Sequence, residues 1–353
     1  QGAQGTAAAV LGIKPENVTV QTTFLGGGFG RRIELDFISQ AVQVSKAVGR
    51  PVKVLWTRED DMKHDFYRPM ALNRMEAGLD ASGKPVGYKL QLTSQSITQR
   101  AFGLPKNTLD PFMVEAAVAP YEIGNTSHDL IIHDTGFRVG YLRAVSHTMN
   151  CFANESFMDE LALASGQDPV SFRLRHLSDP RARAVIEAVV RRAQWEPGSA
   201  GGEGRGVGLA FARYKNIGNY AAVIAEVELT ERVAVKRVVA AVDCGCIVNP
   251  DGVLNQLEGG IVQVTSWVLK EQVQFDAQHI TSTDWERYPI LRFSELPRVE
   301  IELISRPEEP SLGVGEGVTG PTAAAIGNAV YNALGVRVRD LPLQFDRIVQ
   351  AMS

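Results

Sequence analysis

Residues 18–56 run VTVQTTFL (18–25), then GGGFGRR (26–32), then a helical pattern ending at Val48, then GRPVKVLW (49–56). The β-branched run Val18-Thr19-Val20 and its continuation to Leu25 predict a strand. From Glu34 to Val48 the apolar residues Phe37, Ala41, Val44 and Val48 recur at helical spacing, and Gly49-Arg50-Pro51 ends the helix. Pro51 to Trp56 then predict a second strand. A strand, a glycine turn, a helix and a strand within forty residues require a fold that mixes both elements.

Ahead of this stretch, QGAQGTAAAVLG (1–12) reads as a helix already under way and capped by Gly12, as expected of the C-terminal part of a longer protein. Thr57-Arg58-Glu59-Asp60 has the form of a capping box. Strands are expected around 71–98 with a turn at Ala81-Ser82-Gly83, and helices over 150–165 (Phe157, Met158 and Leu161 inward) and 180–193. The stretch Glu196 to Gly204, EPGSAGGEG, is the best linker in the chain. Beyond it, 220–229 and 233–242 predict a hairpin. A helix follows over 252–270 with Leu257, Ile261, Val264 and Val268 on one face. A strand near 298–304, the loop SLGVGEGVTG and a helix starting at Pro321 and ending before Gly335 complete the block. Without a regular βα alternation this is an α+β fold in two domains, 1–195 and 205–353.

Composition narrows the partners. With 36 Lys+Arg against 40 Asp+Glu the net charge is −4, which gives no pull toward nucleic acid. Three cysteines (Cys151, Cys244, Cys246) are too few for an iron–sulfur ligand set. No stretch approaches the roughly 20 apolar residues of a membrane span.

Two glycine-rich loops are candidate sites. Gly26 to Gly30 lie ahead of a helix, where backbone N–H groups favour an anion, and Arg31 and Arg32 stand beside them. A dinucleotide loop starting at Gly26 needs glycine at 31, where Arg31 stands, and no Walker A lysine follows; a plain strand–helix turn accounts for these residues equally well. In the second loop, Gly313 to Gly320, Glu316 precedes an Ala-rich helix. Buried there, a carboxylate is raised toward neutrality and suits a general base, whereas on the surface it is a loop or capping glutamate. The Cys244-Gly245-Cys246 turn lacks further metal ligands, and no side chain is singled out as a metal ligand.

Taken together and in order, GGGFGRR (26–32), GYLRAVSHTMNCFANESFMDELA (140–162), VDCGCIVNPDGVLNQLEGG (242–260) and SLGVGEGVTGPTAAAIGNAVYNALG (311–335) resemble the molybdenum-binding subunit of the xanthine oxidase/aldehyde oxidase family. The branch is that of the isoquinoline 1-oxidoreductase beta subunit and the membrane-associated bacterial aldehyde dehydrogenases. The resemblance implies two mixed α/β molybdopterin-binding domains, the first carrying the glycine loop (26–32) and an arginine loop (140–150), the second Gln256 and Glu316. It places Gly27, Gly28, Phe29, Gly30, Arg143, Gln256 and Gly315 at a molybdenum–molybdopterin cofactor, in the cytosine dinucleotide form, and makes Glu316 the catalytic base. The implied reaction is hydroxylation of an aldehyde or N-heteroaromatic ring with oxygen from water. Electrons would leave through [2Fe–2S] clusters in a small partner subunit and on to a cytochrome c subunit, on the periplasmic side of the inner membrane. A non-catalytic half-subunit and a nucleotide-dependent dehydrogenase are the competing readings.

Departures from the family are informative. Ile33 stands where purine oxidisers have a substrate glutamate, Ala144 where carbon monoxide dehydrogenases hold copper through cysteine, and Val145 where an aromatic ring meets purines. The Met-Gly-Gln-Gly loop and the strand before the first helix do not occur in this sequence, so an upstream half of the large subunit is expected to supply them.

Overall fold

The computed structural model describes residues 1–106, 108–198 and 201–352. Ser199 and Ala200 of the expected linker lie outside these. The chain forms two units. The smaller comprises Gln1–Arg68, Gly136–Arg143 and Val273–Arg287, and the larger Pro69–Thr135, Ala144–Gln272 and Tyr288–Ser353.

The smaller unit contains helices α1 (Gly2–Leu11), α2 (Asp36–Val48) and α3 (Arg58–His64). Gly12 and Gly49 end α1 and α2 in the left-handed conformation, and the Thr57–Asp60 capping box starts α3 as its spacing predicts. The strands expected at 18–25 and 51–56 do not form: among the described residues neither segment pairs with a strand. A β-strand needs a neighbour to take its N–H and C=O groups, and strand propensity alone does not supply one. Phe24, Leu25 and Leu55 are correspondingly exposed, and α2 buries no residue.

In the larger unit, β1 (Ala71–Leu79) and β2 (Pro85–Ser94) form the expected hairpin, followed by α4 (Ile97–Phe102) and β3 (Thr126–Ile132), which lies parallel to β2. Helices α5 (His147–Ala164), α6 (Pro169–Arg175) and α7 (Pro180–Ala193) lead to a second mixed sheet. This sheet contains β4 (Arg205–Arg213), β5 (Tyr220–Leu229), β6 (Val233–Asp243) and, beyond helix α8 (Pro250–Leu269), β7 (Arg298–Leu303), in that spatial order. The helices α9 (Thr319–Leu334) and α10 (Phe345–Met352) complete the chain. Strands β6 and β7 are parallel, and α8 is the crossover such a pair requires.

Both faces of the second sheet are covered. Ala221, Val223 and Ala225 of β5 join Leu257, Ile261, Val264 and Val268 of α8 and the apolar residues of α9 in one core. Ala222 and Ile224 face Val185, Ile186 and Val189 of α7 in another. This two-sided burial explains why β5 and β6 read as nearly unbroken apolar runs. Strand β4, which the sequence does not announce, contains Gly206 and Gly208. A Cβ on Gly206 would lie 2.1 Å from the Ala329 carbonyl oxygen and one on Gly208 2.2 Å from the Ala329 nitrogen. Glycine weakens a strand pattern but is what lets α9 lie against this one. Helix α9 is therefore buried all round from Thr319 to Val330.

Candidate active site

In the smaller unit, the chain bends at Gly26 and turns at Phe29-Gly30 into a short 3-10 helix before α2. Phe29 adopts a left-handed φ of 48° and Gly30 a φ of 101°. A side chain at Gly30 would place its Cβ 2.4 Å from the Tyr141 carbonyl oxygen, so glycine is needed there for space as well as for conformation. The Phe29 carbonyl accepts a 2.8 Å hydrogen bond from the Arg143 N–H, and the Arg143 guanidinium lies 5.9 Å from the Phe29 ring centroid. Residues 27–30 and Arg143 therefore come together, 113 positions apart in the chain for Gly30 and Arg143 (143 − 30). Arg143 is itself buried, and its carbonyl accepts from Arg68 at 2.9 Å. Arg31 is not available as an anion ligand: it pairs with Asp36 at 2.8 Å and Asp65 at 2.5 Å, while Arg32 lies over the Phe37 ring.

Gln256, Gly315 and Glu316 belong to the larger unit. Gln256 sits on the exposed face of α8, and a Cβ on Gly315 would be 3.9 Å from its Oε1. Glu316, in the loop leading into α9, is half-buried rather than enclosed. Each of its carboxylate oxygens has a donor. Oε1 accepts from the Ala144 N–H at 2.8 Å, and Oε2 accepts from the Tyr214 hydroxyl. Ala144 opens the turn ahead of α5, and Tyr214 follows the last residue of β4. Burial and the contact with Glu316 drive the Tyr214 hydroxyl far above its ordinary range, so it keeps its proton and donates.

Around this carboxylate lies a group of buried polar atoms without protein partners: Ser146 Oγ, both ring nitrogens of His147, Glu115 Oε2 and Asn219 Nδ2. His147 lies edge-on to Tyr214, with ring centroids 4.8 Å apart, and Asn219 packs against Gly317. Burial lowers His147 to about 3, leaving the ring neutral with one donor and one acceptor nitrogen. Buried polar atoms left unpaired cost roughly 1–3 kcal/mol each, so such a group marks a place built to receive a polar ligand or ordered water.

Lys215 pairs with Glu115 at 2.6 Å. Burial outweighs this pairing and pushes the Glu115 carboxyl up to about 6 from its ordinary 4.5. Between these values the native state holds a proton that the unfolded chain has released, so stability should fall as pH rises through that window, by about 2 kcal/mol, and level off above it. Glu115→Gln should flatten this part of the curve in urea unfolding carried out at a series of pH values; an unchanged slope would remove Glu115 as its source.

Tyr214, Glu115, His147 and Asn219 escape sequence reading because no motif spacing joins them. The nearest signal is the departure of Ala144 and Val145, two non-glycine residues at φ 65° and 41°, from ordinary backbone preference, and this is visible only in three dimensions.

Residues 1–177 match the family model of a molybdopterin cofactor-binding domain, and residues 163–297 match a second model of the same description. The chain is 38% identical to a nicotinate dehydrogenase subunit of Pseudomonas putida, over 93% of this chain and 30% of that protein. It is 33% identical to the isoquinoline 1-oxidoreductase beta subunit of Brevundimonas diminuta, over 97% of this chain and 44% of that protein. It thus spans less than half the length of either relative. The crystal structure of quinoline 2-oxidoreductase from Pseudomonas putida 86 shares the fold, with a TM-score of 0.86 at 15% identity over 99% of this chain and 71% of that one.

Proposed function

Because the chain belongs to the molybdopterin cofactor-binding family, of the xanthine oxidase/aldehyde oxidase type, we propose that it forms part of the molybdenum-binding subunit of a hydroxylase using oxygen from water. The observation that carries this reading is the Glu316 carboxylate, fixed at both oxygens among buried polar atoms that lack partners. N-heteroaromatic rings are favoured over aldehydes on identity alone: of three relatives matched along nearly the whole chain, those at 38% and 33% are named for nicotinate and isoquinoline, and the one at 29% is named a membrane-bound aldehyde dehydrogenase.

The residues present suit the cofactor. In the smaller unit, Gly27 to Gly30 present backbone with no side chain beyond Phe29, which bonds to Arg143; in the larger unit, Gly315 lies beside the Gln256 side chain. When bound, molybdenum–molybdopterin supplies the two-electron redox chemistry. This chain positions the group, and Glu316 removes the proton whose loss makes the attacking oxygen nucleophilic. A carboxylate oxygen has two lone pairs, so Glu316 retains acceptor capacity at each oxygen after Ala144 and Tyr214 have bonded to it.

The same reading assigns the cofactor its cytosine dinucleotide form and places the enzyme on the periplasmic face of the inner membrane. Three cysteines cannot hold [2Fe–2S] clusters, which supports a separate iron–sulfur subunit, with a cytochrome c subunit beyond it. An upstream half of the large subunit is supported by the smaller unit, whose buried apolar side chains among the described residues are Ala7, Ala8, Val139 and Tyr141, while Val20, Phe24, Leu25, Val52, Val54 and Leu55 are exposed. That is too little burial for a unit to stand alone, and further polypeptide of the same protein would cover it.

Metal analysis tests the proposal. Purified with its native partners, the protein should carry molybdenum stoichiometric with this chain, and Gly30→Ala should lower that occupancy several-fold by displacing the loop from Tyr141. Absence of molybdenum from the intact complex would overturn the reading.

A further inference from the structure

We propose that Tyr214 is a positioning residue for Glu316: its hydroxyl, opposite the Ala144 N–H, locks the carboxylate in the one orientation from which it takes a proton. The inference rests on Glu316 being the base.

Tyr214 is built to be immobile. Its N–H donates to the Asn219 carbonyl at 2.9 Å and its carbonyl accepts from the Gly218 N–H at 2.7 Å, closing a tight loop at the end of β4. The next two residues, Lys215 and Asn216, both have left-handed φ values, 51° and 59°. Ala144 and Val145, on the other side of Glu316, are also a consecutive left-handed pair. Neither pair contains glycine, and such residues cost roughly 1–3 kcal/mol each, so they persist only where the surroundings impose them. Two strained turns converge, one on each oxygen of a single carboxylate.

Neighbouring charged groups are engaged elsewhere, while Tyr214 donates to Oε2. Lys215 turns to Glu115, Asp110 adds to the negative charge there, and His147, whose ring nitrogens have no hydrogen-bond partner, packs at 67° to the Tyr214 ring. A charge-assisted hydrogen bond of this kind orients a carboxylate.

The test compares Tyr214→Phe with Glu316→Gln in the cofactor-loaded complex. Removing the hydroxyl should lower kcat about ten- to hundredfold, the loss expected for one hydrogen bond to a charged group, with KM and molybdenum content unchanged. Independently of turnover, the carboxylate stretching band that disappears in Glu316→Gln should shift in the infrared difference spectrum of Tyr214→Phe. A merely structural tyrosine would leave that band in place. Wild-type kcat together with an unmoved band in Tyr214→Phe overturns the inference. Wild-type activity in Glu316→Gln overturns instead the reading on which it rests, whatever the band does.

Discussion

Glu316→Gln should reduce turnover by about 10²- to 10⁴-fold, the usual contribution of a positioned general base, while leaving the fold and the molybdenum content intact. The substitution is nearly isosteric. The glutamine carbonyl can still accept from the Ala144 N–H, and the amide can donate to the Tyr214 oxygen once that hydroxyl rotates, so the local hydrogen bonds survive and only the capacity to take a proton is lost. Both kcat and kcat/KM should fall together, because the missing interaction is one made in the transition state. Steady-state kinetics on a panel of N-heteroaromatic and aldehyde substrates, with molybdenum measured on the same samples, check this. Full activity with full molybdenum would leave the chain a supporting role around a cofactor served by another base.

The largest stability effect is expected at Arg173, which takes no part in the proposed chemistry. Its guanidinium is fully buried and donates to Glu155 at 2.9 Å through Nε, to Asp159 at 2.7 Å through Nη1 and to the Glu155 carbonyl at 2.8 Å. Glu155 also accepts from the Tyr121 hydroxyl at 2.7 Å and from the Phe211 N–H at 2.8 Å, so α5, α6 and β4 meet at one ionic cluster. Arg173→Met should destabilise the larger unit by about 3–5 kcal/mol, because it strands buried carboxylates rather than because the pair is itself worth that much. Two controls follow from this cause. Arg173→Met combined with Glu155→Gln and Asp159→Asn should recover most of the loss. The deficit of the single variant should also shrink at acid pH, since burial already pushes the Glu155 carboxyl upward and protonation relieves the uncompensated charge. Urea unfolding of the variants at neutral and acid pH decides the matter; a triple variant no better than the single one would refute the stranded-charge explanation.

Much of the architecture is legible in the sequence where one rule acts alone. Leu257, Ile261, Val264 and Val268 line one face of α8 because helical period and burial agree, and the hairpin of β5 and β6 follows from two apolar runs flanking Thr230 to Arg232. What escapes is decided by partners distant in sequence. Residues 18–25 and 51–56 have strand composition but no strand to pair with among the described residues. Strand β3, exposed over its first four residues, has almost no apolar face to betray it, and β4 hides behind Gly206 and Gly208, which exist for the sake of α9. The site divides the same way. Glu316 stands out by its glycine setting, whereas Ala144 reaches it across 172 positions and Tyr214 across 102.

The route of the chain between the two units has a practical corollary. The polypeptide passes from one to the other at Arg68–Pro69, Thr135–Gly136, Arg143–Ala144, Gln272–Val273 and Arg287–Tyr288. No single truncation can therefore excise either unit. Any deletion variant that removes the glycine loop by cutting after Arg68 leaves behind residues 136–143, including the arginine that loop holds, and residues 273–287. Dissection of this protein has to proceed by point substitution, or by replacing all three segments of the smaller unit at once.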